Sequence, residues 1–235
     1  MIIKDSVILI TGANRGLGLA LAQAALKAGA RKVYAGARDP IAITLAGVEP
    51  LKLDVTSAAD IEAAVLACPD VNVLVNNAGI DTGSEVMSSN AAASLRTELE
   101  INLFAPLALS QAFAPTLARN GGGAIVNILS ALSWVNIPKH GTYSVTKAAA
   151  WSLTNGLRNE LTAQGTQVVG VHVGYMDTGM TADIDAPKAS PAAVANTILT
   201  ALEAGADEVL ADGTAQHVKA GLSAARGVYL GEPRS

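Results

Sequence analysis

A tyrosine and a lysine at helical spacing are the residues with the clearest potential for chemistry in this sequence. Tyr143 and Lys147 are four residues apart in an alanine-rich segment, so a helix there would place both side chains on one face, a single turn apart. A phenol has an ordinary pKa of about 10, and a nearby cation favours its ionised form. The pair could then exchange a proton with a substrate near neutral pH. The alternative is a chance pair on an ordinary helix.

Ser130 is a second candidate, thirteen residues before Tyr143, at the point where the apolar run 124–129 ends. We expect that run to be a strand, which places the serine at the carboxyl edge of a sheet. Its hydroxyl could hydrogen-bond a substrate oxygen at that edge. An ordinary capping role for the following helix or loop is the alternative.

A glycine-rich turn is the element that would position a cofactor beside these side chains. The apolar run Val7–Thr11 leads into glycines at 12, 16 and 18 and then into an alanine- and leucine-rich segment, a pattern typical of strand, loop and helix. Backbone N–H groups in such a turn can approach a diphosphate at the positive end of the helix dipole. No Gly-Lys-Ser/Thr follows, which excludes a Walker loop. An ordinary tight turn is the alternative to dinucleotide binding.

The end of the second predicted strand bears on the choice between NAD and NADP. In a dinucleotide fold an acidic residue there accepts hydrogen bonds from the ribose 2'-hydroxyl of NAD, whereas this chain has Ala37 and Arg38. Arg15, in the glycine loop, is a second cation that could reach a 2'-phosphate, and guanidinium suits phosphate well. The residues therefore predict NADP(H). Two solvated surface arginines are the alternative.

Strands and helices alternate strictly along the chain, which predicts an α/β fold: a single Rossmann-like domain over residues 1–235, with a doubly wound parallel sheet of about seven strands flanked by helices on both faces. We expect Pro106 and Pro115 to kink or divide the long helical segment 91–118. The loop-like segment 179–190 follows a strand end and is a candidate substrate lid. The predicted strands are 7–11, 31–37, 48–56, 71–75, 124–129, 167–173 and 208–212.

Composition narrows the class of protein. Half of the 235 residues are hydrophobic, 15% are charged and the net charge is -4, which favours a sheet buried on both faces and disfavours a nucleic-acid partner. Cys68 is the only cysteine and the three histidines are scattered, so no metal site is expected. The start lacks a signal-peptide pattern and no apolar stretch reaches about 18 residues. We therefore expect a cytoplasmic protein without a membrane partner.

Taken together and in order, these motifs resemble the classical short-chain dehydrogenase/reductases, and the match spans nearly the whole chain. The resemblance implies hydride transfer between a nicotinamide and a carbonyl or secondary alcohol, in a homodimer or homotetramer. One departure is Val173-Gly174, where the family has Pro-Gly after the sixth strand. The motifs that carry the resemblance are Thr11–Gly18, Asn76-Asn77-Ala78-Gly79, Asn102, Ser130, and Tyr143 with Lys147.

The resemblance also implies a role for each matching residue. Tyr143 would be the proton donor or acceptor, Lys147 would lower its pKa and hold the nicotinamide ribose, and Ser130 would polarise the carbonyl. Asn102 would break its helix locally and hold a water that feeds protons to Lys147. The cofactor would be NADP(H), bound by Gly12, Asn14, Arg15, Gly16, Leu17, Gly18, Arg38, Asp54, Val55, Asn77, Ala78, Gly79, Tyr143, Lys147, Gly174 and Thr178.

Four residues beside the expected pocket are candidates for substrate contact: Trp134, His140, Tyr175 and Met176. Aromatic residues make up only 3% of the chain, so their position there suggests an apolar substrate, with ordinary packing as the alternative. His140 could equally be a surface or capping residue. The sequence thus predicts an NADPH-dependent carbonyl reductase acting on a small ketone or aldehyde. The alternatives are a non-catalytic dinucleotide-binding redox sensor and a 3-oxoacyl thioester reductase.

Overall fold

The computed structural model describes residues 2–231, in which seven parallel strands form one sheet in the order β3-β2-β1-β4-β5-β6-β7. Because the order reverses between β1 and β4, a crevice opens at the carboxyl ends of these two strands, where α/β folds bind ligands. The predicted doubly wound parallel sheet is confirmed. The strands are β1 Val7–Thr11, β2 Lys32–Ala37, β3 Glu49–Lys52, β4 Val73–Asn76, β5 Ala124–Ile128, β6 Gln167–His172 and β7 Glu208–Leu210.

Helices cover both faces of the sheet, and the alternation of side chains along each strand supplies a core to each layer. Ile8 and Ile10 of β1 pack in one core with the two helices α1 and α6. Val7 and Leu9 point the other way and pack with α2, α4 and α5. The helices are α1 Gly16–Lys27, α2 Ala58–Ala67, α3 Ala91–Leu99, α4 Ala105–Arg119, α5 Gly141–Leu161, α6 Pro191–Glu203 and α7 Gly213–Gly221.

The long helical segment departs from its prediction at Pro115. Pro115 lies inside α4, which continues to Arg119, because the fully buried Phe113 and Leu117 hold this part of the helix against the sheet. The irregular part is instead a π-helical turn, Glu100–Phe104, between α3 and α4.

By length and composition, the combined segment Ala91–Arg119 could cross a membrane. Its buried side chains pack against the sheet and α5, as expected of a helix that contributes to the core. The sequence predicts a loosely ordered tail over residues 231–235, of which residues 232–235 lie outside the described part of the chain.

Candidate active site

Four polar side chains from three elements meet at the carboxyl edge of β4 and β5. Ser130 follows β5, Tyr143 and Lys147 lie in the first two turns of α5, and Asn102 lies in the π-helical turn. Ser130, Lys147 and Asn102 are each less than a tenth exposed. The fold thus brings together the four residues that sequence reasoning named as catalytic.

Lys147 is held next to the Tyr143 ring by a backbone hydrogen bond. Its Nζ donates to the carbonyl oxygen of Ile128 at 2.8 Å and lies 5.5 Å from the centroid of the Tyr143 ring. Gly79 lies against the same group: a Cβ there would be in ordinary contact with the lysine Nζ at 3.8 Å and in tight contact with Oδ1 of Asn102 at 3.2 Å. The ammonium group therefore stays beside the phenol through contacts with the protein alone.

Burial shifts the pKa of both members of the pair toward their neutral forms. It lowers the pKa of Lys147 to about 8 and raises the pKa of Tyr143, which the charges of Asp81 and Glu98 raise further and a hydrogen bond with Ser130 lowers. The sequence suggested the opposite direction for the tyrosine, because spacing showed a nearby cation and could not show the loss of hydration. A protonated phenol is the form that can donate a proton to a substrate.

Asn102 ties the π-helical turn to the loop after β4 and to α5. Its Oδ1 accepts from the N–H of Ile80 at 2.9 Å, and its Nδ2 donates to the Ile80 carbonyl at 2.9 Å and to Oγ1 of Thr146 at 3.0 Å. π-Helical turns are often found at functional sites. Here the turn orients the Asn102 amide toward Thr146, the residue that precedes Lys147.

Ser130 combines its expected chemistry with the alternative capping role. Its Oγ accepts from the N–H of Leu132 at 3.0 Å in a short capping box and donates to the Val173 carbonyl oxygen at 3.4 Å. Burial raises the pKa of Tyr143, and the same hydroxyl lowers it.

The fully buried His172 lies behind Ser130, with Nδ1 at 3.0 Å from the Ser130 carbonyl oxygen. Burial lowers its pKa to about 4, so the ring is neutral at pH 7 and can donate this bond from Nδ1. Sequence reasoning missed His172 because it lies within a strand that gave no sign of which neighbours it would meet.

The glycine loop leaves room for a diphosphate at the start of α1. Gly12 and Gly16 adopt positive φ values of 64° and 56°, and a Cβ at Gly18 would lie 2.3 Å from the carbonyl oxygen of Gly12. No side chain caps α1, so its first N–H groups remain available to an anion. These features fit the expected dinucleotide. Of the other two predicted cofactor residues here, Asn14 lies in the turn and Leu17 lies in the first turn of α1.

The residues after β4 hold this loop in place. Asn77 donates through Nδ2 to the carbonyl oxygen of Thr11 at 2.8 Å, and Oγ1 of Thr11 accepts from the N–H groups of Asn77 and Ala78, both at 3.0 Å. Asn76, the first residue of the Asn76–Gly79 motif, is buried in the sheet, where it donates to Oδ1 of Asn127 at 2.8 Å. Within the motif Asn76–Gly79, Asn76 therefore joins β4 to β5, whereas the residues after it lie beside the crevice.

The adenosine end of the crevice is more open. Arg15 and Arg38 are both exposed, Ala37 and Val55 are buried, and no carboxylate occupies the end of β2. Asp54 bends back to accept from the N–H of Thr56 at 3.0 Å; this bond lowers the pKa of Asp54, with a smaller contribution from Arg38. The two arginines thus border the expected locus of a 2'-phosphate.

The four candidate substrate residues fall in two different environments. The Trp134 ring stacks on His172 at 3.7 Å and meets Trp151 edge-on at 6.3 Å, a placement that favours its alternative role in packing; Met176 likewise packs against the core beside α1 and α6. His140 and Tyr175, whose ring centroids are 6.2 Å apart, lie together beside the start of α5.

The segment after β6 folds back on itself. The Ala189 N–H donates to the Tyr175 carbonyl at 2.8 Å, and the Asp177 N–H donates to the Ala189 carbonyl at 3.0 Å. Thr178 approaches the glycine loop, since a Cβ at Gly16 would lie 3.4 Å from its methyl carbon. The proposed lid, residues 179–190, therefore begins directly beside the dinucleotide crevice.

Gly174 marks the exit from β6 where the family has the glycine of Pro-Gly. Its N–H donates to Oδ2 of Asp212 at 2.6 Å, and a Cβ there would lie 2.6 Å from Cβ of Thr214. The turn thus needs glycine, while Val173 takes the proline position and accepts a hydrogen bond from the Ala131 N–H at 2.8 Å.

Comparison with known proteins agrees with this geometry. A family model described as short chain dehydrogenase matches residues 6–189. A short chain dehydrogenase from Burkholderia cenocepacia J2315, solved in complex with NADP, is 38% identical, with a TM-score of 0.92 and 96% of each chain covered. A short-chain dehydrogenase from Streptomyces avermitilis is 28% identical, with a TM-score of 0.80, 94% of this chain and 96% of that chain being covered.

The ketoacyl reductase HetN of Nostoc sp. is 31% identical over 227 residues, which cover 88% of this chain and 79% of the relative. Residues 6–189, which the family model matches, include the glycine loop, the polar side chains at the strand ends and α5. The chain belongs to the short chain dehydrogenase family of oxidoreductases.

Proposed function

We propose that this protein is an NADPH-dependent oxidoreductase that reduces a ketone or aldehyde carbonyl to an alcohol. The observation that carries the proposal is the group formed by Ser130, Tyr143 and Lys147, in which the lysine Nζ lies 5.5 Å from the ring of a protonated phenol that interacts with the serine hydroxyl. This arrangement can bind a carbonyl oxygen and give it a proton. A protein that only sensed the dinucleotide would have no need of a proton donor.

The side chains divide the work of the reaction. NADPH, when bound, supplies the hydride. Ser130 donates a hydrogen bond to the substrate oxygen and Tyr143 gives that oxygen a proton, which stabilises the negative charge that develops there. Lys147 then stabilises the phenolate, and Asn102 fixes the helix that carries both residues through its bond to Thr146.

The phosphate side of the crevice supports NADPH as the cofactor. Gly12, Gly16 and Gly18 leave the start of α1 open to a diphosphate, and Arg15 with Arg38 supplies cations for a 2'-phosphate. The Burkholderia relative was solved with NADP, which supports the same assignment. Charge-assisted hydrogen bonds of this kind contribute about 1.5–3 kcal/mol each when well formed.

A 3-oxoacyl thioester is the second candidate substrate, because the relative HetN is a ketoacyl reductase.

We also propose a cytoplasmic homodimer or homotetramer. Phe104 at the end of the π-helical turn and Val145 in α5 are 48% and 41% exposed, and small residues nearby in α5, Ala148 and Ser152, would admit a neighbouring helix. Light scattering at micromolar concentration tests the assembly, and a monomeric mass would contradict it.

The deciding experiment is a substrate screen that follows NADPH oxidation. The panel consists of aryl ketones, keto esters, oxoacyl thioesters and quinones, each assayed with the parental protein and with Tyr143→Phe. Turnover of a carbonyl that depends on Tyr143 would support the proposal. Tight NADPH binding without turnover of any panel member would instead favour the redox sensor.

A further inference from the structure

A carboxylate and a histidine form a hydrogen-bonded pair beside the catalytic tyrosine. Nδ1 of His140 lies 2.5 Å from Oδ2 of Asp81, and both side chains are less than a fifth exposed. Oδ1 of Asp81 accepts from the N–H of Gly83 at 2.8 Å. Both carboxylate oxygens therefore have fixed partners, and the histidine ring has one fixed orientation.

The partners of Asp81 determine which ring nitrogen carries the proton. A carboxylate can only accept, so Nδ1 of His140 must be the donor. In the neutral ring, Nε2 is then an acceptor. Nε2 has no hydrogen-bond partner in residues 2–231, and it is not among the buried unpartnered atoms there, so it is open to a ligand.

The location of the pair connects it with the reacting centre. His140 occupies the N-cap position of α5, one turn before Tyr143; its side chain makes no capping bond to the helix, and its carbonyl oxygen accepts from Oγ of Ser144 at 2.7 Å. Lys139, just before it, has a φ of 69°, an uncommon value for a residue other than glycine. The ring centroids of His140 and Tyr175 are 6.2 Å apart, so the pair lies beside Tyr175 at the start of the helix that carries Tyr143. Burial raises the pKa of both tyrosines, and the charge of Asp81 raises it further.

We propose that Nε2 of His140 accepts a hydrogen bond from a hydroxyl group on the substrate, next to the reacting carbonyl, and that the protein therefore prefers hydroxyketones. This inference rests on the proposed carbonyl reduction and names its substrate class. The carbonyl oxygen binds Ser130 and Tyr143, while the neighbouring hydroxyl binds His140. A simple ketone of the same size leaves the histidine nitrogen without a partner.

The same pair could simply join the loop after β4 to α5, where Thr142 already donates from its N–H to the Ser84 carbonyl at 3.1 Å. A structural role of this kind would change the turnover of all substrates alike. Substrate ratios within one variant therefore separate the two roles, since a recognition role changes the ratio and a joining role does not.

The first test compares hydroxyacetone, methoxyacetone and butanone, which differ only in the group beside the carbonyl. With the parental protein we expect kcat/KM for hydroxyacetone to exceed that for each of the others by about tenfold, the value of one good hydrogen bond. His140→Phe keeps a ring in place and should bring the three values together. An undiminished preference for hydroxyacetone in His140→Phe, or equal values in the parental protein, would overturn the inference.

Asp81→Asn provides a sharper test, because the Gly83 N–H can only donate and would keep the amide oxygen. The amide nitrogen then faces Nδ1 of His140, which must become the acceptor, so the proton moves to Nε2. Methoxyacetone, which can only accept, should now exceed butanone by several-fold. A ratio that stays at the parental value would contradict the tautomer argument.

Nitrogen-15 NMR of the histidine ring gives a readout that needs no turnover: protonated Nδ1 in the parental protein and protonated Nε2 in Asp81→Asn. A parental Nε2–H tautomer would overturn the inference directly. If the NMR result holds but no ketone is turned over, the proposed function fails and the substrate class fails with it. If ketones are turned over without a hydroxyl preference, only the inference fails.

Discussion

The two ends of the crevice differ in how much of their chemistry the protein itself holds in place. At the catalytic end, Lys147 and Asn102 are buried and hydrogen-bonded to backbone. At the adenosine end, the side chains of Arg15 and Arg38 are exposed and make no hydrogen bond to another side chain or to backbone within residues 2–231.

This difference matches what each end must do. Proton transfer requires groups within a few tenths of an ångström of a fixed geometry and in a fixed protonation state, so the fold buries and bonds them. Cofactor discrimination requires only opposite charge near a phosphate, which long, solvated side chains can supply. Substitutions at the catalytic end should therefore cost far more than substitutions at the adenosine end.

The largest effect is expected for Tyr143→Phe, which removes the proton donor and keeps the ring. Loss of a positioned acid typically costs about 10²-fold or more, so kcat should fall by at least that factor while NADPH still binds. Steady-state kinetics with the best ketone and fluorescence titration of NADPH measure the two quantities. Near-parental turnover would show that another group donates the proton.

Gly18→Ala should have the next largest effect, because its Cβ would lie 2.3 Å from the carbonyl oxygen of Gly12. Overpacking of this kind costs about 1–3 kcal/mol, and dinucleotide affinity should fall as the loop moves. Gly213→Ala is the matched control, since a Cβ there meets no atom within 4 Å. Urea unfolding and NADPH titration of both variants provide the comparison, and equal losses in the two would contradict the role of the close approach.

The cofactor preference should change by about tenfold, since one charge-assisted bond is worth roughly one decade. Ala37→Asp with Arg38→Leu adds an acceptor for the ribose hydroxyl and repels the phosphate, so the preference should reverse toward NADH. Added salt should narrow the parental preference by screening an exposed phosphate. The ratio of kcat/KM values for the two cofactors is the measurement. A ratio that does not move in the double variant would identify the arginines as solvated surface residues.

The smallest effect concerns pH, and it follows from the pKa of about 8 that burial gives Lys147. As the pH rises through that value the lysine loses its charge and can no longer stabilise the phenolate, so ketone reduction should slow. For one titrating group the fall between pH 7.5 and 8.5 is about threefold. A profile of kcat against pH tests this, with Lys147→Arg as the control that should lose this limb because arginine stays charged.

Regular periodicity explains why most of the fold could be predicted. The strands are continuous apolar runs, because helices cover both faces of the sheet, and strict alternation with helices indicates a parallel order. The least accurate strand was β3, expected over 48–56 and found over Glu49–Lys52. Its exposed position at the sheet edge leaves no apolar run to mark its limits. The π-helical turn could not be predicted by spacing, because it depends on Asn102 meeting Ile80 from another part of the chain.

In the candidate site, too, local spacing could be predicted and contacts between distant segments could not. The spacing of Tyr143 and Lys147 places them on one helical face, and this holds in any helix. Sequence reasoning missed Asp81 as the partner of His140 because the two residues are 59 positions apart. It also gave Trp134 and His140 the same candidate role in substrate contact. In the structure the Trp134 ring stacks on His172, whereas the His140 ring lies beside Tyr175.

The sequence by itself therefore determined the order of strands and helices, the glycine turn, and which side chains could exchange a proton, because these properties depend on neighbours within one or two turns of the chain. Only the tertiary structure decided the charge states of Tyr143 and Lys147 and the hydrogen-bond partner of His140. Burial, not spacing, raises the pKa of Tyr143 and lowers that of Lys147, since hydration is lost only when distant segments close over a group. The tautomer of His140 likewise depends on a loop that follows a different strand.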